Sequence, residues 1–215
     1  MIIGLIGFMG CGKSSVGRRL SQLLCCPFMD LDEVIVERTG RSIPEIFADD
    51  GEKAFRQMEL ETLRGIVGSH GQTHALSPDS TEVNATESNA KEKWVVLALG
   101  GGTVMTPECA EIVSSETRCI YLRASVETLI EHLEGQTDNR PLLNLQNYHF
   151  DQNSNCHSER DSNCHFERAK RVEKSIHIES LMAQRSTTYE KTAHIIIDTD
   201  GKSIEAIASE IISLL

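Results

Sequence analysis

The chain has 215 residues, 40% of them hydrophobic, and carries 21 Lys and Arg against 32 Asp and Glu, a formal net charge of -11. Such a length and apolar content suit one α/β domain with a substantial core, and no apolar run is long enough to cross a bilayer. The acidic balance argues against a broad nucleic-acid surface, so any anion site must concentrate positive charge locally.

The first element is Ile2-Ile3-Gly4-Leu5-Ile6, an apolar run that predicts a buried strand. No basic region precedes it, so a secretory signal is not expected. The strand leads into Gly7-Phe8-Met9-Gly10-Cys11-Gly12-Lys13-Ser14, which fits the G-x-x-x-x-G-K-[ST] phosphate loop, and a helical pattern through Val16, Leu20, Leu23 and Leu24 follows. Glycines let this backbone close around an anion, so Gly10, Cys11, Gly12, Lys13, Ser14 and Ser15 are the expected nucleotide contacts at a helix N-terminus. Lys13 would bring its charge to the β- and γ-phosphates and the Ser14 hydroxyl would help hold Mg²⁺. A glycine-rich turn with a chance lysine is the bland alternative; the strand before it and the helix after it argue against that.

Pro27-Phe28-Met29 predicts a short strand ending in Asp30-Leu31-Asp32, which puts two carboxylates at its C-terminal edge, and a helix then runs to Thr39-Gly40. Those carboxylates also suit a helix N-terminus with no further role. Ser42-Ile43-Pro44-Glu45 starts another helix, whose apolar spacing continues through Phe47, Phe55, Met58, Leu60, Leu63 and Ile66. Residues 69–92 are polar and predict a mobile surface insertion. Trp94 to Leu99 reads as a strand buried on both faces, ending in Gly100-Gly101-Gly102.

A strand at Cys119-Ile120-Tyr121-Leu122 and a helix through Val126, Leu129, Ile130 and Leu133 come next. Residues 135–178 form the expected lid region, and they contain a near-repeat, Ser154 to Arg160 against Ser162 to Arg168. A long helical segment ending near Tyr189, a strand at His194 to Ile197 and a C-terminal helix complete the chain. The alternation predicts an α/β fold of the P-loop NTPase kind over residues 1–215: a doubly wound parallel sheet of about five strands, flanked by helices and bearing a mobile lid.

Seven scattered cysteines without a C-x-x-C pair fit reduced thiols in a cytosolic enzyme. Asn84-Ala85-Thr86 matches a glycosylation acceptor that matters only in a secreted protein. Cys156-His157 and Cys164-His165 lack the spacing of zinc-ligand pairs, and their tandem similarity suggests duplication within a mostly disordered insertion.

Taken together, five separated pieces resemble shikimate kinase: the phosphate loop; Asp30-Leu31-Asp32 with Arg38-Thr39-Gly40; Phe55-Arg56 with Glu59; Leu99-Gly100-Gly101-Gly102; and Arg140-Pro141-Leu142-Leu143 followed by Arg185 and Tyr189. The resemblance covers almost the whole chain outside the two insertions. It implies ATP-dependent phosphorylation of shikimate to 3-phosphoshikimate, a step toward chorismate and the aromatic amino acids, with ATP and Mg²⁺ as cofactors. Lys13, Asp32 and Arg140 would be catalytic. Asp32 would contact the acceptor hydroxyl, Asp30 would lie near Mg²⁺ with Ser14, and Arg56 and Arg185 would grip the acceptor carboxylate with their planar forks. Backbone N–H groups of Gly101 and Gly102 would reach the acceptor, Phe47 and Phe55 would either line its pocket or pack the core, and Arg140 would swing onto the ATP phosphates as a lid closes.

A cytoplasmic monomer with a small-molecule substrate, and with neither nucleic-acid nor membrane partner, is expected. Two departures from the family stand out: Ser186-Thr187-Thr188 where a proline usually follows the arginine, and a much longer segment between Leu143 and Arg185. The residues alone support a small P-loop kinase acting on an anionic small molecule. Gluconate or nucleoside monophosphates are the rival acceptors, and a nucleotide-binding relic is the rival without activity.

Overall fold

Alternating side chains along five short apolar runs face two helical layers, and this sets the architecture. The computed structural model describes residues 1–71, 94–133 and 162–215, except for the side chains of 70–71 and 162–174. In chain order the elements are β1 (Ile2–Ile6), α1 (Lys13–Leu24), β2 (Phe28–Asp30), α2 (Leu31–Thr39), α3 (Ile43–Asp49), α4 (Gly51–Gly71) and β3 (Val95–Ala98). They continue with a 3₁₀ turn (Thr103–Met105), α5 (Pro107–Glu116), β4 (Arg118–Arg123), α6 (Val126–Leu133), α7 (Ser162–Thr192), β5 (Ile195–Asp198) and α8 (Ile204–Leu214).

The five strands pair in parallel in the order β2-β3-β1-β4-β5, with Gly4 opposite Leu97, Leu5 opposite Ile120 and Leu122 opposite Ile197. Alternation divides the core. Ile2, Ile6, Leu97, Cys119 and Tyr121 pack on one face against Leu31, Ile35, Phe55, Leu63 and Val113. Ile3, Leu5, Val96, Ile120 and Leu122 pack on the other against Val16, Leu20, Leu129, Ile207 and Ile211. Helix α7 joins the two layers, because its Ile178 belongs to the second cluster and its Tyr189 to the first.

The chain winds away from β1 toward β2 but from β3 toward β4, so connections diverge between the adjacent strands β1 and β3. This is a topological switch point, where the strand C-termini leave a crevice open for ligands. The phosphate loop and the Gly100–Gly102 turn flank it.

Three expectations need correction. The single helix expected from Ser42 onward is two: Ser42 and Glu45 form a reciprocal capping box at the start of α3, and the chain then breaks at Asp50 and Gly51, the glycine taking φ +80°. A left-handed residue cannot continue a right-handed helix, so α3 ends there and α4 starts as a separate helix. Asp32 lies in the first turn of α2 rather than on the strand edge, because Asp30 ends β2 and caps that helix by accepting from Asp32 N–H. Finally, the second repeat copy, Ser162 to Arg168, is helical backbone at the start of α7, not irregular chain; it continues into Ala169, Lys170 and Arg171, all strong helix formers. The first copy, residues 72–92 of the polar insertion and lid residues 135–161 lie outside the described residues, whereas Ser69 continues α4.

Candidate active site

The phosphate loop takes the shape its glycines allow. Gly12 has φ +89° and caps α1 without a side chain, so a substituted residue there would be strained. Lys13 Nζ donates to the carbonyls of Gly7 (3.0 Å) and Phe8 (2.9 Å), which holds its charge across the mouth of the loop. Cys11 is buried with its Sγ 3.9 Å from Lys13 Nζ, so its side chain belongs mainly to the core beneath the loop. Ser15 is exposed in the first turn of α1, and it lines the cleft with Gly10, Cys11, Gly12, Lys13 and Ser14.

The two expected carboxylates come together here but differ in environment. Asp30 Oδ2 accepts from the Ser14 hydroxyl at 2.6 Å, while its Oδ1 accepts from Asp32 N–H at 3.1 Å. A hydroxyl and a carboxylate side by side are hard oxygen donors of the kind a small divalent cation takes. Asp32 Oδ1 is buried and has no hydrogen-bond partner among the described residues. Burial first, and then the Asp30 and Glu59 carboxylates, push Asp32 up to about 6 against the opposing pull of Lys13 and Arg56.

The Gly100–Gly102 turn gathers the remaining groups, and its lack of side chains is what permits this. A Cβ on Gly102 would lie 2.5 Å from Arg56 Nη2, and one on Gly100 2.9 Å from Asp32 Oδ1. Arg56 Nη1 donates to Glu59 Oε2 at 2.6 Å and Nη2 to Glu52 Oε1 at 3.0 Å. Arg185, only 9% exposed, donates through Nη1 to the Gly101 carbonyl at 3.4 Å and stacks over the Phe8 ring, 5.7 Å from its centroid. No carboxylate among the described residues pairs with it. Tyr189 donates its hydroxyl to the same carbonyl. The Gly101 carbonyl thus accepts from both side chains of α7. Phe47 and Phe55 meet with tilted rings, centroids 4.8 Å apart, Phe55 in the core beside Arg56 and Phe47 partly buried against it.

A cleft of about 860 Å³ runs from the phosphate loop past Asp30, Asp32, Gly100 and Gly101, and reaches Glu131, His132, Thr199, Lys202 and Ser203. Those last five carry no sequence signal. His132 Nδ1–H donates to the Gly10 carbonyl at 2.8 Å, tying the end of α6 to the phosphate loop, and the β5–α8 segment arrives because every strand C-terminus opens on the same edge. Arg140 and Cys156-His157 lie outside the described residues, as do the side chains of Cys164 and His165.

A parallel sheet with a phosphate loop at its switch point, a carboxylate pair beside it and two arginines beyond defines a P-loop kinase for a small anionic acceptor. A family model described as shikimate kinase matches residues 9–77 and 79–215. The chain belongs to the shikimate kinase family. A shikimate kinase from Thermus thermophilus is 35% identical over 213 residues, covering 99% of this chain and 89% of that protein. One from Dictyoglomus turgidum is 31% identical, covering 99% and 96%. Among solved structures, shikimate kinase from Acinetobacter baumannii in complex with shikimate is 27% identical, with a TM-score of 0.73 and coverage of 99% of this chain and 91% of that one. No helix among the described residues is long and apolar enough to cross a membrane.

Proposed function

We propose that this chain phosphorylates shikimate by transferring the γ-phosphoryl group of MgATP to a ring hydroxyl, giving 3-phosphoshikimate, with nucleotide groups and acceptor groups meeting at the Gly100–Gly102 turn. Membership of the family makes it an ATP-dependent kinase of aromatic amino acid biosynthesis. The observation that carries the residue assignment is Arg185, a buried cation whose hydrogen bond goes to the Gly101 carbonyl, so that it approaches from α7 the same Gly100–Gly102 turn that Arg56 and Asp32 approach from α4 and α2. Burying a guanidinium without a carboxylate is costly, and an incoming carboxylate offsets that cost.

On the nucleotide side, loop N–H groups from Gly10 to Ser15 cradle the phosphates and Lys13 exchanges its two carbonyls for phosphate oxygens. Ser14 and Asp30 would hold Mg²⁺, which supplies charge neutralisation to the β- and γ-phosphates. On the acceptor side, Arg56 and Arg185 orient the carboxylate, and Asp32 accepts the hydroxyl proton as the oxygen attacks phosphorus. A carboxylate titrating at about 6 is ionised at neutral pH, yet more basic than an exposed one. Arg140, which the resemblance makes catalytic, would supply positive charge to the transferring phosphoryl group. The chain acts as a cytoplasmic monomer.

A coupled assay of ADP release tests this with shikimate, gluconate and nucleoside monophosphates as acceptors. Turnover with shikimate alone is expected. Turnover with gluconate or a nucleotide at comparable kcat/KM would overturn the assignment of the acceptor.

A further inference from the structure

Glu59 is 1% exposed, and a buried carboxylate needs partners for both oxygens. Oε2 accepts from Arg56 Nη1 at 2.6 Å, and Oε1 accepts from the Thr103 hydroxyl at 2.5 Å. Thr103 is fully buried, and its backbone is held where the glycine turn becomes the 3₁₀ turn: its N–H donates to the Gly100 carbonyl at 3.2 Å, and its own carbonyl accepts from Thr106 N–H at 3.2 Å. The hydroxyl thus ties a rigid point of the turn to a carboxylate on α4.

We propose that Thr103 is a positioning residue for the acceptor, setting the Arg56 guanidinium through Glu59. This rests on the assignment of Arg56 to the acceptor carboxylate. A carboxylate held at one oxygen can swivel about its last bond and carry the attached guanidinium with it. Held at both, it fixes a plane, and a forked donor is useful only when its plane is fixed. Glu52 cannot substitute, because it is 56% exposed and an exposed ion pair constrains geometry weakly. The guanidinium also lies close against Gly102, where a Cβ would come 2.5 Å from Nη2, so Arg56 touches both the glycine turn and the carboxylate that Thr103 ties to it. The chain of contacts runs Gly100, Thr103, Glu59, Arg56, and it couples the turn beneath the acceptor to the group that grips it.

The test compares Thr103→Val, Thr103→Ser and Arg56→Ala, alone and with Thr103→Val added to Arg56→Ala, by steady-state kinetics in both substrates. Thr103→Val is expected to raise the KM for shikimate about tenfold, the scale of one hydrogen bond to a charged group, and to leave the KM for ATP unchanged. Thr103→Ser keeps the hydroxyl and should restore most of the affinity. In the Arg56→Ala background, Thr103→Val should add nothing further to the shikimate KM. An unchanged shikimate KM in Thr103→Val, with Arg56→Ala impaired, would overturn the proposal and leave the acceptor site standing. Equal losses for both substrates would reduce Thr103 to core packing and overturn it as well. A normal shikimate KM in Arg56→Ala would remove the acceptor assignment itself.

Discussion

The Ser14 hydroxyl lies 2.6 Å from Asp30 Oδ2, so the first turn of α1 and the end of β2, 16 residues apart in the chain, meet through one hydrogen bond. The same carboxylate caps α2 through its other oxygen. Asp30→Asn separates these jobs, since asparagine caps a helix about as well as aspartate but is a poorer partner for Mg²⁺. The expected result is a half-saturating Mg²⁺ concentration raised about 10-fold or more at fixed ATP, with the melting temperature nearly unchanged. An unaltered Mg²⁺ curve would free Asp30 from the metal.

Asp32 links rate, pH and stability. Catalysis needs the ionised form, so kcat/KM for shikimate should fall as pH drops through about 6, and Asp32→Asn should lower the rate by about 10²–10⁴ at neutral pH. Stability runs the other way. Folding raises this carboxyl from 3.8 to about 6, so its contribution is fully present below the unfolded value and is lost as pH rises through the folded one. Asp32→Asn is therefore expected to be more stable than wild type at pH 8, with the difference fading by pH 4. Urea titrations at the two pH values check this, and a destabilised mutant at pH 8 would contradict it.

Arg185→Ala should weaken shikimate binding by about 2–5 kcal/mol and ATP binding far less, because the acceptor carboxylate loses a desolvated, charge-assisted partner. Arg185→Lys keeps the charge without the fork and should recover only part of the loss. Calorimetry with shikimate resolves both, and wild-type affinity in Arg185→Ala would exclude the contact.

Gly102→Ala places a methyl where the Arg56 guanidinium lies, 2.5 Å from Nη2 and 2.6 Å from Nη1. Gly102 has φ -113°, so the backbone itself tolerates alanine, and the end of a flexible side chain can move aside. Moving Arg56 aside takes the partner from the buried Glu59 carboxylate, so a loss of stability is expected together with a clear rise in the shikimate KM. A melting temperature lowered by many degrees with normal kinetics would mean that the turn gives way instead of Arg56.

His132→Ala removes the bond from α6 to the Gly10 carbonyl. A hydrogen bond of this kind contributes about 0.5–1.5 kcal/mol, so the KM for ATP should rise about two- to tenfold while the KM for shikimate stays put. The opposite pattern would assign His132 to the acceptor side.

Local patterning determined much of this protein. The run Ile2 to Ile6, the spacing of Gly7, Gly12, Lys13 and Ser14, and the capping signal at Ser42 and Glu45 each depend on residues within one turn or strand of one another, and such short-range constraints are written directly into a sequence. The alternation of strand and helix likewise sufficed for a parallel sheet. The break at Gly51 had a local signal, a glycine after Asp49-Asp50 in a stretch with no large apolar residue between Phe47 and Phe55, but the helical spacing on either side of it masked the stop.

What only the tertiary structure decided is how groups distant in the chain alter one another. Thr103 reaches Glu59 across 44 positions, Arg185 reaches Gly101 across 84, and His132 reaches Gly10 across 122. Asp32 looks like any helix N-terminal carboxylate until burial and the charges of Asp30 and Glu59 push it to about 6. These are through-space effects set by distance and desolvation. They exist only once the sheet has brought the ends of its strands to one edge.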